Sequence, residues 1–298
     1  MKPNCLIHKS SLFMDQFDAS AGAFRWPREF SSNRFVYTVI SPRARGLSIG
    51  VNLNPDQLCN FDCLYCEVDR RKPVGNKSLD IKVMAAELRD ALAMIFSGQI
   101  REIPHYANLP DDLMGLRHVT LSGDGEPTLC SNFAGAVRTI LHLRAQDGFP
   151  FFKLVLVTNA TALDTKQVEQ TLKLFHSTDE VWAKLDAGSH DYFEKVNRPQ
   201  VSLSKVMGNI ILLGRERPLV IQSLFPLIDG EEPTTDEIEQ YVVRLQELKA
   251  AGAMISMVQV YSATRPVGNA RCGHLPLKSL FRIAKTVRTE TGLKAEVF

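Results

Sequence analysis

Three cysteines stand within eight residues of this 298-residue chain, in the loop Cys59-Asn60-Phe61-Asp62-Cys63-Leu64-Tyr65-Cys66. Three thiolates this close together repel one another and oxidise readily unless a thiophilic cation lies between them, so the spacing predicts a metal centre. A structural zinc site normally has four protein ligands, and no histidine lies near this loop. Iron–sulfur clusters are held by cysteine thiolates, and three of them leave one iron of a four-iron cluster open to a small molecule.

The spacing C-x3-C-x2-C, with Tyr65 just before the last cysteine, resembles the cluster loop of the radical S-adenosylmethionine (SAM) superfamily. The resemblance implies a 4Fe-4S cluster on Cys59, Cys63 and Cys66, with SAM bound at the open iron and Tyr65 beside it. In that family an electron from the cluster splits SAM into methionine and a 5′-deoxyadenosyl radical. A zinc loop or a chance group of cysteines is the alternative, and the rest of the chain disfavours it.

Strand and helix patterns alternate along most of the chain. Strands are predicted at 35–40, 47–53, 118–122, 151–158, 180–185, 219–225 and 254–261, with a short closing strand at 293–298. Helices are predicted at 78–96, 132–143, 164–175, 204–213, 235–250 and 277–291, with Ser78 as the first cap. Strands that alternate with helices indicate a parallel sheet covered by helices. Together with the resemblance, this predicts an α/β fold, a partial (β/α)6 TIM-like barrel of the radical SAM type.

The composition of the chain limits which partners and which cellular compartment fit it. Hydrophobic residues make up 45% of the chain and charged residues 23%, with a net charge of +2, so no global basic field favours nucleic acid or a membrane. Six cysteines in a chain of this size suit a reducing compartment better than a disulfide framework. Because no apolar run reaches about eighteen residues, we expect a soluble, cytoplasmic protein. Residues 1–34 are predicted to be an N-terminal extension and residues 35–298 the core domain.

The segment Ser122-Gly123-Asp124-Gly125-Glu126-Pro127-Thr128 follows the second barrel strand. Its glycines allow the backbone to approach a ligand closely and to adopt a positive φ, although the pattern by itself also fits a plain turn. Downstream of a three-cysteine loop it resembles the "GGE" motif of radical SAM enzymes. The resemblance implies that Gly123, Asp124, Gly125 and Glu126 contact the SAM amino group.

Two further polar side chains are candidates for binding SAM. Asn159 follows the third barrel strand, where an asparagine can also begin a turn. Gln222 lies within an apolar strand and needs a partner there. The resemblance makes the SAM ribose or carboxylate a candidate partner for Asn159, and the SAM ribose is a candidate partner for Gln222.

Lys184, Asp186 and Arg198 are the candidate catalytic residues. Alternation places Lys184 and Asp186 on one side of their strand, and a buried lysine facing an aspartate also fits a structural ion pair. The functional alternative puts Lys184 against the SAM carboxylate, with Asp186 orienting it or meeting the substrate. Arg198 could hold an anionic substrate group with its planar guanidinium, although an exposed turn arginine is nearly as good an interpretation.

Several stretches together resemble one branch of the superfamily, the stand-alone proteins similar to the wybutosine-synthesising tRNA enzymes. They include Ser41-Pro42-Arg43, the cysteine loop, 122–128, Thr158-Asn159-Ala160, 184–188, Asn197-Arg198-Pro199 and Arg265-Pro266. Wybutosine-type enzymes carry a second cluster on three extra N-terminal cysteines, whereas this N-terminal region has Cys5 alone. This difference weighs against the same tRNA reaction.

The sequence therefore predicts a radical SAM enzyme that abstracts hydrogen from a small-molecule or peptide substrate. It would draw electrons from an external flavodoxin- or ferredoxin-type donor. A tRNA-modifying radical SAM enzyme is the alternative within the same class, although no interleaved basic and aromatic pattern favours RNA. A non-catalytic metal-binding or electron-transfer module is the alternative from another class.

Overall fold

The computed structural model describes residues 28, 30–70, 78–146, 148–263, 267 and 269–298. Most of the predicted N-terminal extension, residues 1–27 and 29, lies outside the described residues, and so do Cys5, Arg265 and Pro266. No helix among the described residues is long and apolar enough to span a lipid bilayer.

One curved sheet of eight strands forms the centre of the molecule, in the order β1-β2-β3-β4-β5-β6-β8-β10. Its strands are β1 Val36–Ser41, β2 Gly46–Val51, β3 His118–Leu121, β4 Leu154–Thr158, β5 Glu180–Lys184, β6 Leu219–Leu224, β8 Ile255–Tyr261 and β10 Ala295–Val297. β1 pairs with β2 in antiparallel fashion and all other neighbours are parallel. The predicted α/β partial barrel is therefore confirmed, with β1 and β10 as edge strands.

The helices of the described residues are α1 Ile81–Phe96, α2 Asp111–Met114, α3 Phe133–Gln146, α4 Lys166–Leu172, α5 His190–Asn197, α6 Leu203–Gly214, α7 Thr235–Ala250 and α8 Leu277–Thr291. The bounds of α7 and α8 match the prediction. The predicted cap Ser78 is wrong, because the Asp80 carboxylate accepts the first free backbone N–H groups, from Lys82 and Val83. The fourth strand begins at Leu154 instead of Phe151, and α4 is shorter than predicted at both ends.

The two faces of the sheet differ in chemistry. The outer face joins the helices in one large core that includes Ile49, Leu88 and Val137. The inner face carries a small apolar cluster at its floor, formed by Val155, Trp182 and Val220. Because side chains alternate along a strand, residues two positions further along these strands also point inward. In that next layer Lys184 and Gln222 are polar, while Val157 is apolar.

A two-stranded ribbon that the sequence analysis did not predict lies at the C-terminal end of the barrel. It pairs β7, Pro226–Ile228, with β9, Cys272–His274, in antiparallel fashion. Ile228 and Cys272 pack in one cluster with Leu64 and Tyr65 of the cysteine loop. The ribbon therefore covers one side of that loop.

A buried histidine at the floor of the barrel yields a pH prediction. His118 is 3% exposed, and its ring meets Trp182 edge to face at a centroid distance of 5.3 Å. Burial, with the charges of Lys153 and Arg43, lowers the pKa of His118 from 6.5 to about 3. The folded state therefore binds this proton less readily than the unfolded chain does, so stability present above pH 6.5 is lost as the pH falls toward 3.

We expect the free energy of unfolding of the wild type to fall by about 4 kcal/mol more than that of His118→Gln across this pH window. Urea denaturation at a series of pH values measures the difference. His142→Gln, at an exposed position of α3, is the control and should keep the wild-type slope. Equal slopes for all three proteins would contradict the assigned burial effect.

Candidate functional site

The cysteine loop crosses the C-terminal end of the barrel and is fixed there by backbone hydrogen bonds to the end of α5. Leu64 N donates to Val196 O at 2.9 Å, and Asp62 N donates to Asn197 O at 3.1 Å. Gln200 N donates to Asn60 O at 2.9 Å. The shape of the loop is therefore set by a segment more than a hundred residues away in sequence.

Cys59, Cys63 and Cys66 all line one cavity of about 180 Å³. All three are free thiols. The rest of the wall comes mainly from residues 122–126, Thr158, Asn159 and Lys184. The structure thus brings the cysteine loop, the glycine-containing segment and the candidate lysine to one place, although they lie far apart in the sequence.

Each of the three sulfur atoms faces one side-chain donor. Asn159 Nδ2 lies 3.9 Å from Cys59 Sγ, Asn197 Nδ2 lies 3.4 Å from Cys63 Sγ, and Arg70 Nη2 lies 3.8 Å from Cys66 Sγ. Donors at sulfur favour the thiolate over the thiol and tune the reduction potential of a cluster held there.

Two of the thiols, those of Cys59 and Cys63, are poor acids without a metal. Burial raises the pKa of Cys59. Burial, together with the Asp186 carboxylate, raises the pKa of Cys63 to about 12. Cys59 and Cys63 are therefore expected to be neutral thiols in the metal-free protein, and a bound cation would drive their deprotonation.

The donor set fits a cluster better than a single ion. Among the described residues, no three His, Cys, Asp or Glu side chains converge closely enough to hold one metal ion. The three thiols instead surround a cavity, which is the arrangement that a body larger than one ion requires. Cys59, Cys63 and Cys66 would hold such a cluster.

A buried carboxylate links the cysteine loop to the barrel. Asp186 is 1% exposed and accepts hydrogen bonds from the Tyr65 hydroxyl, from Asn197 Nδ2 at 2.8 Å and from Leu224 N at 2.8 Å. Burial, followed by the Asp186 charge, raises the pKa of Tyr65 well above 10. Tyr65 therefore remains a neutral donor, and Asp186 connects the cysteine loop to α5 and β6.

Lys184 lies between Asp186 and the cavity. Its Nζ is 3.5 Å from Asp186 Oδ1 and 3.1 Å from the Tyr261 hydroxyl, and it lies 4.9 Å from the centroid of the Tyr65 ring. The predicted ion pair is thus present. Burial lowers the pKa of Lys184, but Asp186 and Tyr261 outweigh it and the net shift is upward. The ammonium group stays charged, and it lines the cysteine cavity.

Gly123 and Gly125 are required for a reason other than the expected positive φ. Neither glycine has a positive φ. A Cβ on Gly123 would lie 2.3 Å from Asn52 Oδ1, and one on Gly125 would lie 2.1 Å from Leu58 O. The glycines therefore let this segment pack directly against the end of β2 and the start of the cysteine loop.

The two acids of this segment are already hydrogen-bonded within the protein. Asp124 accepts from Arg28 Nη2 at 2.6 Å and from Asn52 Nδ2 at 2.7 Å. Glu126 is buried and accepts from Thr128, Thr158 and Asn159. Burial raises the pKa of Glu126, although these hydrogen bonds oppose the shift. Both residues line the cavity, and their predicted contact with SAM stays a prediction.

The remaining predicted residues lie in different places. Asn159 lines the cavity, where its Nδ2 also donates to Asn60 Oδ1 at 2.8 Å. Gln222 lies in register with Lys184 and has its partner within the protein, since its Nε2 donates to Gln259 Oε1 at 3.1 Å. Arg198 ends α5 on the outside of the loop, paired with Asp62 at 3.3 Å. Neither Gln222 nor Arg198 is part of the cavity wall, and their predicted roles stay untested.

A second cavity of about 230 Å³ adjoins the first and shares Tyr65, Cys66, Ser122 and Gly123 with it. It opens between the β1–β2 turn and the end of β8, where Arg43 and Tyr261 face it. Further residues complete the wall of this cavity. These are Arg28, Tyr37, Pro42, Glu67, Val68, Leu224, Ser262 and Ala263.

The fold is that of the radical SAM enzymes. A radical SAM methyltransferase from Sphaerobacter thermophilus superposes with a TM-score of 0.62 over 88% of this chain and 68% of its own, at 16% identity. The structure of TYW1 with a lysine-pyruvate adduct bound gives a TM-score of 0.53 over 98% of this chain and 92% of its own, at 12% identity. The fold predicted from the sequence motifs is thereby confirmed.

The chain belongs to the UPF0026 family. A UPF0026 protein of Synechocystis sp. is 30% identical over 78% of this chain and 76% of its own length. A UPF0026 protein of Helicobacter pylori is 26% identical over 75% of this chain, and the matched region spans 66% of that relative. No family model matches the chain.

The Asp186 network leads to a stability prediction. In Asp186→Asn the amide would face donors from Tyr65 and Asn197, and the Lys184 ammonium would lose its carboxylate partner. We expect the free energy of unfolding of the metal-free protein to fall by about 3 kcal/mol or more. Urea denaturation measures it, with Asp191→Asn on the exposed face of α5 as control. A loss below about 1 kcal/mol would show that Asp186 does not hold the loop in place.

Proposed function

We propose that this protein is a radical SAM enzyme with a 4Fe-4S cluster on Cys59, Cys63 and Cys66. The observation that carries the proposal is the single cavity shared by these three free thiols, residues 122–126 and Lys184. When bound, the cluster supplies the electron that splits SAM into methionine and a 5′-deoxyadenosyl radical, which then takes a hydrogen atom from the substrate. The similarity of fold to radical SAM enzymes supports this class of reaction.

The residues of the chain have separate tasks in this proposal. Asn159, Asn197 and Arg70 each direct one donor at a cluster sulfur, and such donors shift a cluster's potential upward by stabilising negative charge. Lys184 presents a fixed positive charge in the cavity wall, suited to the SAM carboxylate. Because Gly123 and Gly125 have no side chains, the backbone at these positions can form part of the cavity wall while it packs closely against Asn52 and Leu58.

The site also indicates how the reaction centre is kept from water. The Tyr65 ring separates the Lys184 ammonium from the outer part of the loop, and the β7–β9 ribbon packs over Leu64 and Tyr65. A radical formed here would be shielded by these apolar contacts on the ribbon side. The adjoining second cavity, which shares Cys66 and Gly123 with the first, is the place we assign to the substrate.

The proposal includes partners that follow from the chemistry. The substrate is a small molecule or a peptide, and the electron comes from an external flavodoxin- or ferredoxin-type protein. A reducing cytoplasm would keep the cysteine thiols from forming disulfides. Modification of tRNA is the alternative within the class, and the likeness of fold to TYW1 is what favours it.

Cys63→Ala tests the proposed reaction. Cys63 lines the cysteine cavity and receives a hydrogen bond from Asn197, so its loss should remove a cluster ligand and abolish formation of 5′-deoxyadenosine from SAM. Chromatography of anaerobic reactions with a chemical reductant measures the product. Cys130→Ala, at a free cysteine that lines neither cavity, is the matched control and should retain activity. Undiminished SAM cleavage by Cys63→Ala with unchanged cluster content would contradict the proposal.

The substrate can be sought with the same product. Anaerobic incubation with fractions of a deuterated cell extract should transfer deuterium into 5′-deoxyadenosine when the right fraction is present. Deuterium transfer from a fraction that holds small metabolites or peptides supports the substrate class proposed above. Transfer from a purified tRNA fraction alone would favour the alternative.

A further inference from the structure

Arg28 and Arg43 both line the second cavity, but they have different surroundings. Arg28 pairs with the Asp124 carboxylate at 2.6 Å and lies over the Tyr37 ring at 5.1 Å. Glu67 also lines this cavity and adds negative charge near Arg28. The charge of Arg28 is therefore largely balanced by carboxylates of the protein.

Arg43 has no such partner in the part of the chain that the structure describes. No carboxylate among the described residues forms an ion pair with it, and its buried Nε lacks any hydrogen-bond acceptor within that same part of the chain. A buried donor without an acceptor is uncommon in folded proteins and costs stability. Arg43 also lines the second cavity, so an anion that binds there from outside the chain would supply this guanidinium with an acceptor.

The guanidinium of Arg43 is also held in position. It lies over the Tyr261 ring at 4.5 Å, and the hydroxyl of that ring accepts a hydrogen bond from Lys184 at 3.1 Å. This ring contact restricts where the guanidinium can lie, and a guanidinium can offer two parallel N–H donors to one anion. Carboxylates and phosphates match this geometry.

The neighbouring arginine of the same turn shows a different arrangement. Arg45 pairs with Glu296 of β10 at 2.7 Å and lies over the Phe298 ring at 5.5 Å. It thereby links the two edges of the sheet, and it is not part of the cavity wall. Arg43 therefore lines a cavity, whereas Arg45, two residues further along, is already paired with a carboxylate.

We propose that Arg43 is the anchor for an anionic group, a carboxylate or a phosphate, of the substrate in the second cavity. This inference rests on the proposed function, since it names the substrate class for the same site. The SAM carboxylate is a separate anion, because Arg43 does not line the cysteine cavity whereas Lys184 does. Apolar lining residues such as Val68 and Leu224 would accommodate the uncharged part of the substrate.

Chemical modification of the full-length, cluster-reconstituted protein tests the site directly. Phenylglyoxal reacts with accessible guanidinium groups, and mass spectrometry of a peptide that contains both residues compares Arg43 with Arg45. We expect inorganic phosphate or acetate to slow the modification of Arg43 severalfold and to leave Arg45 unchanged. Stronger protection by phosphate than by acetate would assign a phosphate, and the reverse order would assign a carboxylate. Equal protection of both arginines, or of neither, would overturn the proposal.

Variants separate this site from the SAM site. Anion-dependent increases in Tm should occur in the wild type and in Arg45→Gln and should be lost in Arg43→Gln. The change that SAM causes in the EPR spectrum of the reduced cluster should persist in Arg43→Gln. Loss of that change with an intact anion effect would overturn the proposal by assigning Arg43 to SAM. If Arg43→Gln does not fold, Arg43→Lys keeps the charge without the stacked plane and should weaken anion binding.

This design also distinguishes the inference from the proposed function. A wild type that lacks any SAM-dependent EPR change would refute the radical SAM assignment, whatever the anion experiment shows. A wild type that shows the SAM effect but no protection of Arg43 refutes only the anion site.

Discussion

The buried carboxylate of Asp186 is the interaction on which the site depends. It lies just beyond the end of β5 and binds Tyr65 of the cysteine loop, Asn197 of α5, the backbone of β6 and the Lys184 ammonium. Four separate segments therefore share one charge. Since a buried charge must be fully hydrogen-bonded to be tolerated, the loop, the helix end and the lysine hold one another in a single arrangement.

That constraint explains why the three thiols can face one cavity. Backbone hydrogen bonds from residues 196–200 shape the loop, and the glycines at 123 and 125 allow the neighbouring segment to approach it without a clash. The raised pKa values of Cys59 and Cys63 leave neutral thiols in the absence of a metal. Binding of a cationic cluster would release their protons, so cluster binding and pH are thermodynamically linked.

Much of this arrangement could be predicted from local sequence patterns. The cysteine spacing, the alternation of strands with helices and the pairing of Lys184 with Asp186 all follow from residues close together in the chain. The short helix α5 was missed because its eight residues bury few apolar side chains, among them Phe193 and Val196. Asn197 therefore appeared as part of a loop, and the functional role was assigned to its exposed neighbour Arg198.

Long-range contacts account for the rest. The ribbon β7–β9 joins segments more than forty residues apart, and no local pattern in either segment indicates the other. Arg43 reaches Tyr261 across the open side of the barrel, so its position in the second cavity depends on how the two sheet edges approach each other. Gln222 was correctly expected to need a partner, but that partner, Gln259, lies on the next strand.

The most direct test of the account is spectroscopic. Protein purified without oxygen should contain about four irons and four sulfides per chain, and the EPR spectrum of its reduced cluster should change when SAM is added. That change reports an iron without a protein ligand, as three cysteines require. Zinc in place of iron, or an iron–sulfur spectrum that SAM leaves unchanged, would contradict the account.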